Sequence, residues 1–160
     1  MTFSNDLKRG KFGEQLFEFY CSKKGIVLKD TRSNPDYQIM DIDYIADGVN
    51  CEVKTDYWYN TTGNLAVEHK IKYLDGRTSK GWLHTTKADY IVYAIPPREQ
   101  SNINNRGTLF IINIEDLRYI TSEHYNRTKI CDDSYKTTEC FLVNPDSYNY
   151  LFEKIEVWEF

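Results

Sequence analysis

The chain has 160 residues, of which 41% are hydrophobic and 28% are charged. This length and this composition are typical of a soluble globular protein with one domain and a sizeable core. The net charge of −4 argues against a protein that coats DNA without specificity, because no global basic field attracts the phosphate backbone. Any DNA binding then depends on local patches or on a bound cation.

The cysteines indicate the compartment. Cys21, Cys51, Cys131 and Cys140 form no CxxC pair and have no spacing typical of zinc ligands. The sequence contains neither a signal peptide nor a transmembrane run. We therefore expect reduced thiols in a cytoplasmic protein that does not bind a membrane.

The first predicted element is a helix that begins at one of residues 4–6, runs to about Lys24 and stops at Gly25. Gly10 and Gly13 each lower the helix propensity by about 1 kcal/mol, or they permit close approach of another backbone. The apolar stripe of this helix consists of Leu7, Leu16, Phe17, Tyr20 and Cys21. The helix is also the most basic stretch of the sequence.

A hairpin is predicted after the helix. A short strand over 26–29 and a polar loop at Asn34-Pro35-Asp36 come first. Residues 37–46 alternate as a strand, Asp47-Gly48 is a strong hairpin turn signal, and residues 51–56 form the returning strand.

The rest of the chain alternates between strands and helices. The predicted elements are a loop over 59–64, a strand over 65–69, a short helix or turn over 81–89, a strand over 90–95, a flexible loop over 101–107, a strand over 108–112, a helix over 114–124, a strand over 140–143, a turn or short helix over 145–154 and a strand over 155–158. Without repeats or an interdomain linker, this order predicts one α/β domain over 1–160 with a mixed central sheet flanked by helices.

Parity within the hairpin places four charged side chains on one face. If Asp47-Gly48 is a two-residue turn, Asp43 lies opposite Glu52 and Asp41 lies opposite Lys54. A four-residue turn would place Asp43 opposite Lys54 on the same face, whereas a three-residue turn would separate the charges. The other face is apolar and suits packing against a helix: Ile42, Tyr44, Ala46, Cys51 and Val53.

Facing carboxylates repel each other, and a divalent cation between them removes that penalty. Asp43, Glu52 and the backbone carbonyl of Val53 are candidate ligands for Mg²⁺ or Mn²⁺, because hard oxygen ligands are those that Mg²⁺ prefers; Asp41 is a further candidate. Lys54 could orient or help deprotonate an attacking water, whose pKa the metal would lower. This set predicts phosphodiester hydrolysis; the alternative is a solvated hairpin face.

These residues carry a resemblance. The run from Asp41 to Ile45, a turn, and then Glu52-Val53-Lys54 resemble the D…(D/E)xK motif of the PD-(D/E)xK nuclease superfamily, which includes restriction endonucleases and Holliday-junction resolvases. The resemblance implies a restriction-endonuclease-like core over about 5–95, in the order helix–strand–hairpin–helix–strand, with 96–160 as a C-terminal elaboration. It also implies a glutamate on the first helix, and Gly13-Glu14 matches it, so Glu14 is expected as a metal or water-network ligand.

The literal Pro35-Asp36 lies far upstream of Glu52, in a predicted loop. We therefore rank Asp43 first, Asp41 second and Asp36 third as the motif aspartate. The segment over 85–93 is similar to uncharacterised phage-type members of the superfamily.

Contacts to the DNA backbone are predicted near the site. The candidates on the first helix are Lys8, Arg9 and Lys11. Lys87 could contact a phosphate, and Glu68 could join the site; simple exposure is the alternative for both.

The sequence thus predicts an Mg²⁺- or Mn²⁺-dependent endodeoxyribonuclease, of a junction-resolving, restriction or repair type. DNA is the expected partner, and a homodimer is an assembly that the resemblance allows. The alternative hypothesis is a non-catalytic module of the same fold that binds nucleic acid or protein, which the acidic net charge favours.

Overall fold

The computed structural model of the chain describes residues 3–98, 106–123, 128–132 and 135–158. The helices are α1 (Phe3–Lys24), α2 (Pro35–Ile39), α3 (Tyr59–Thr62), α4 (Trp82–Thr85) and α5 (Ile114–Glu123), with a 3-10 helix at Pro145–Tyr148. The strands are β1 (Leu28–Asp30), β2 (Tyr44–Ala46), β3 (Val49–Thr55), β4 (Leu65–Tyr73), β5 (Thr78–Lys80), β6 (Tyr90–Ile95), β7 (Gly107–Asn113), β8 (Thr128–Asp132), β9 (Lys136–Val143) and β10 (Glu153–Val157). None of the described helices is long and apolar enough to span a bilayer.

The fold is α/β, with a mixed central sheet. Six of the described strands form this sheet in the order β1-β2-β3-β6-β7-β10. β3 and β6 are parallel, and their other neighbours in the sheet are antiparallel. The predicted mixed sheet with flanking helices is therefore confirmed.

The central sheet is covered on both faces. On one face, Leu16 and Phe17 of α1 pack against Val53 of β3 and against the neighbouring strands. On the other face, Leu83 of α4 and Leu117 of α5 belong to a second cluster of buried side chains together with residues of β4, β6 and β7. Glu52 and Lys54 pair in register with Ile91 and Tyr93 of that second cluster, so they project away from α1.

A second, antiparallel sheet contains the remaining described strands in the order β5-β4-β9-β8. The register between β4 and β9 shifts between Glu68 and Lys70, and this irregularity is typical of a β-bulge. The strands predicted over 65–69 and 140–143 are only parts of β4 and β9, and no strand was predicted at β5 or β8.

Close approach of α1 to the central sheet depends on Gly13. A Cβ atom there would lie 2.2 Å from Thr55 Oγ1 and 3.0 Å from Ala94 Cβ. The expected close approach is confirmed at Gly13, although the neighbours are side chains rather than backbone. At Gly10 nothing lies within 4 Å of such an atom, so the same interpretation is wrong there.

The strand predicted over residues 37–46 is mostly wrong. Its first part is the helix α2, which Asn34 caps by accepting a hydrogen bond from the Asp36 N–H at 3.0 Å, with Pro35 at the first position. Asparagine before a proline is a favourable helix start, and here it outweighs the alternation. Only Tyr44–Ala46 is a strand, and the loop predicted at Asn34-Pro35-Asp36 is the beginning of α2.

Other boundaries also differ. The loop predicted over 59–64 contains α3. The turn or short helix predicted over 145–154 is a 3-10 helix in its first part, and its last residues belong to β10. The loop predicted over 101–107 lies outside the described residues as far as residue 105, and Gly107 begins β7.

Candidate active site

The hairpin turn has two residues. Asp47 and Gly48 both have positive φ, 47° and 82°, as a type I′ turn requires. Ala46 pairs with Val49 and Tyr44 pairs with Cys51. The two-residue alternative for the turn is therefore confirmed, but the paired register ends at Tyr44 and Cys51, one residue before the predicted pair of Asp43 and Glu52.

Asp43 is held at the end of the hairpin by its backbone and by its side chain. Its N–H donates to the Cys51 carbonyl at 2.9 Å, and its Oδ2 accepts a hydrogen bond from the Val53 N–H at 2.9 Å. The carboxylate therefore bridges to the backbone of β3 one residue beyond Glu52. This contact fixes Asp43 beside the Glu52 side chain.

Glu52 and Lys54 form an ion pair in which Glu52 is buried and Lys54 is half-buried. Glu52 is only 5% exposed, and its Oε1 accepts a hydrogen bond from Lys54 Nζ. The Lys54 ammonium also lies 5.2 Å from the centroid of the Trp82 ring, a distance at which a cation is attracted to an aromatic face. The second oxygen of Glu52, Oε2, is buried without a hydrogen-bond partner in the described part of the chain.

The electrostatics of the pair favour a proton on Glu52. Burial, together with the charges of Asp43 and Asp41, raises the pKa of Glu52 to about 8, although the charge and the hydrogen bond of Lys54 oppose the shift. Burial acts to lower the pKa of Lys54, but attraction to Glu52 and their hydrogen bond outweigh burial, and the net pKa is raised. Lys54 therefore stays charged at neutral pH, while the pKa of the Glu52 carboxyl group lies close to neutral pH.

Asp41 lies near the site but not on the strand opposite Lys54. It occupies a turn with φ of 52° after α2, and its carboxylate accepts a hydrogen bond from Thr85 Oγ1 at 3.3 Å. Its charge still contributes to raising the pKa of Glu52. The prediction that Asp41 pairs with Lys54 in the hairpin is therefore wrong. Asp36 is exposed in the first turn of α2.

Glu14 is paired with an arginine that the sequence analysis overlooked. Arg32 donates to Glu14, to Glu18 at 2.9 Å and to Asp30 at 2.5 Å. Burial raises the pKa of Glu14, Arg32 opposes this effect, and the charge of Asp43 adds to it. Glu14 thus lies within electrostatic reach of Asp43, but its carboxylate is engaged by the guanidinium.

The donor set fits a hard cation with few protein ligands. Among the described residues, no group of three His, Cys, Asp or Glu side chains is arranged to hold a metal ion. Mg²⁺ is usually bound by only one or two carboxylates, with water completing its shell. Asp43 and Glu52 supply that number, and Oε2 of Glu52 is a buried oxygen atom without a hydrogen-bond partner among the described residues. The Val53 side chain is buried beside α1, so only its backbone could take part.

The predicted DNA-binding residues are dispersed. Lys8 and Lys11 are exposed on α1, whereas Arg9 lines a cleft beside Lys54. Lys87 is exposed, and its N–H donates to the Met40 carbonyl at 2.8 Å, which fixes its loop next to Asp41. Glu68 accepts a hydrogen bond from the Trp82 N–H at 3.4 Å and so supports the wall of the cleft.

Neither the cleft beside Lys54 nor the residue that shapes it, Asp56, was predicted from the sequence. Asp56 is buried, and its carboxylate accepts hydrogen bonds from the N–H groups of Trp58, Tyr59 and Ala66 at 2.9–3.0 Å. This contact fixes the loop that carries Trp58. An aspartate directly before an aromatic turn, at the end of a strand, was the available signal.

The hairpin therefore brings Asp43, Glu52 and Lys54 together, with Glu14 and Asp41 at electrostatic distance. No protein-family model, no curated protein and no solved structure matches the chain.

Proposed function

We propose that this protein is a metal-dependent endodeoxyribonuclease of the PD-(D/E)xK type, with its active site at Asp43, Glu52 and Lys54. The observation that carries the proposal is the buried Glu52 carboxylate, one oxygen of which bonds Lys54 while the other has no partner among the described residues. An unpaired buried carboxylate oxygen is costly, so it calls for a ligand that folding alone does not supply.

The order of elements supports a restriction-endonuclease-like core. α1, β1, the hairpin β2–β3, α4 and β6 occur in the chain order of that core, with the short helices α2 and α3 inserted before β2 and after β3. Strands β4 and β5 lie between the hairpin and α4 and belong to the second sheet. We place the core in the first four strands of the central sheet.

Each residue of the site has a role in this proposal. Asp43 and Glu52 hold a divalent cation, which when bound lowers the pKa of a coordinated water and stabilises charge on the phosphoryl oxygens. Lys54 positions the attacking water and offsets phosphate charge. Asp43 is held in place by the Val53 N–H, and Trp82 supports the Lys54 ammonium.

A substrate panel tests the proposal. Plasmid, linear duplex, single-stranded and four-way-junction DNA are incubated with Mg²⁺ or Mn²⁺ and with the wild type, Glu52→Gln or Lys54→Met. The control variant is Glu153→Gln, an exposed carboxylate on β10. We expect metal-dependent cutting by the wild type and the control and its loss in both site variants. If the folded wild type cuts none of these substrates faster than Lys54→Met, the proposal is wrong.

Calorimetric titration with Mn²⁺ separates the nuclease from a non-catalytic module of the same fold. We expect a binding signal for the wild type that is lost in Asp43→Asn. Circular dichroism of the variant checks that the hairpin remains folded. A signal that survives in Asp43→Asn would place the cation elsewhere.

A further inference from the structure

A cleft of about 460 Å³ opens beside Lys54. It lies between the first half of α1, the end of β3, the loop before α3 and the start of α4. Its walls carry four aromatic side chains, Tyr57, Trp58, Tyr93 and Trp82. The size is within the range of pockets that hold small ligands, about 300–1,000 Å³.

The aromatic surface is open to solvent. Trp58 is 54% exposed, and Tyr57 and Trp82 are half-buried. Exposed aromatic surface gathered in one concave place is characteristic of a binding site rather than of ordinary surface. Every nucleobase can stack on such a surface, because every base has a π-face.

Two cations flank the aromatic surface. The Arg9 guanidinium lies 5.0 Å from the centroid of the Tyr57 ring, and the Lys54 ammonium lies 5.2 Å from that of Trp82. The carboxylate that lines the cleft, Asp56, accepts three backbone N–H bonds, which hold its charge inward. In a protein with net charge −4, the cleft thus combines stacking faces with local positive charge, which matches a nucleotide.

Hydrogen bonds join the walls of the cleft to one another. Asp56 fixes the Trp58 loop to β4, the Tyr93 hydroxyl donates to the Ala66 carbonyl at 3.1 Å, and Thr55 Oγ1 donates to the Gly10 carbonyl of α1 at 3.3 Å. A pre-formed site loses less conformational entropy on binding. The cleft is therefore pre-formed for a flat aromatic ring.

We propose that the cleft formed by Tyr57, Trp58, Trp82 and Arg9 binds an unpaired nucleotide of single-stranded DNA beside Lys54. A base inside a duplex already stacks on both sides and cannot enter a concave aromatic site unless it is extruded. The inference deepens the proposed function and rests on it for the role of the bound strand. It names the substrate class as DNA with unpaired bases next to the cut.

Binding is measured in EDTA, so that no cleavage occurs, with the full chain and a fluorescein-labelled dT12 oligonucleotide. A dA12·dT12 duplex and a U12 oligonucleotide are the comparison ligands. We expect dT12 to bind at least tenfold more tightly than the duplex and no less tightly than U12. Trp58→Ala should weaken the binding of dT12 by about 5- to 150-fold, the loss of one base–aromatic stack. Trp58→Phe, which keeps a ring, should recover most of it.

Trp158→Ala is the matched control. Trp158 is 55% exposed, almost the same as Trp58, but it lies outside the cleft, so its loss should leave dT12 binding unchanged. Equal affinity for dT12 and duplex, tighter binding of U12, or equal effects of Trp58→Ala and Trp158→Ala would overturn the inference.

The binding assay and the cleavage assay test the two proposals separately. If dT12 binds through Trp58 but no DNA is cut with Mg²⁺ or Mn²⁺, the proposed nuclease activity is wrong and the assignment of the cleft stands. If DNA is cut but Trp58→Ala binds dT12 as the wild type does, the activity stands and the assignment of the cleft is wrong.

Discussion

Replacement of Gly13 by alanine should force α1 away from the central sheet. The added Cβ would lie 2.2 Å from Thr55 Oγ1 and 3.0 Å from Ala94 Cβ, so a neighbour has to move. Thr55 is β-branched and therefore stiff about χ1, and turning it away would break its 3.3 Å hydrogen bond to the Gly10 carbonyl. Overpacking of this kind destabilises a protein by about 1–3 kcal/mol.

Gly10 provides the matched control on the same helix. Nothing lies within 4 Å of a Cβ atom built there, so Gly10→Ala gains about 1 kcal/mol of helix propensity with no steric penalty. Gly13→Ala gains the same propensity. The difference between their free energies of unfolding, measured by urea denaturation with circular dichroism, should therefore equal the steric penalty of about 1–3 kcal/mol.

A second variant locates the strain. Thr55→Ala in the Gly13→Ala background removes the Oγ1 atom that the new methyl group meets, so it should recover much of the lost stability. Equal stability of Gly13→Ala and Gly10→Ala would refute the close packing of α1 on β3. Because Gly13 directly precedes Glu14, that result would also remove the reason for placing Glu14 near Asp43.

Three further outcomes follow from the charged groups. Asp56→Ala should lower the free energy of unfolding in urea by about 3–5 kcal/mol, because three backbone N–H groups lose a charged acceptor; a loss below about 1 kcal/mol would contradict the anchoring role. The folded state keeps a proton on Glu52 that the unfolded chain has released, because burial raises its pKa from 4.5 to about 8. Stability should therefore fall as pH rises through that window, by up to about 1.4 kcal/mol per pH unit, and Glu52→Gln should flatten the slope in denaturations at several pH values. Arg32→Met should destabilise the protein by about 1–3 kcal/mol at neutral pH and less in acid, where Glu14 takes up a proton; a loss that is independent of pH would argue for packing rather than charge.

The centre of the hairpin could be predicted because local chemistry determines it. Asp47-Gly48 tolerates the positive φ that a tight turn needs, and the turn length then sets which residues face each other. That register predicted that Asp43 lies close to Glu52; in the fold the pairing ends one residue earlier, and the bond from the Val53 N–H to the Asp43 carboxylate holds Asp43 there. The same reasoning failed for Asp41. The alternating residues before Tyr44 do not form a strand, because the helix α2 begins at Pro35.

Long-range pairing lay beyond the local pattern. β4 pairs with β9 about 70 residues further along the chain, and the register shifts between Glu68 and Lys70, which period-two reasoning cannot anticipate. Arg32 was overlooked for a related reason. Its partners Glu14 and Glu18 come from α1, and only the packed fold brings them to one guanidinium.

The ion pair at the centre of the site is difficult to explain by stability alone. Burying the Glu52 carboxylate costs several kcal/mol, and apolar side chains of similar volume are often at least as stable as an ion pair in such a place. Here one oxygen of Glu52 is also left without a partner among the described residues, which adds a further cost. Lys54 contacts both the acidic end of the hairpin and, through Trp82, the aromatic cleft. A charge held at that junction is useful if a phosphate lies between the carboxylates and a stacked base, and this is the arrangement that the two proposals together require.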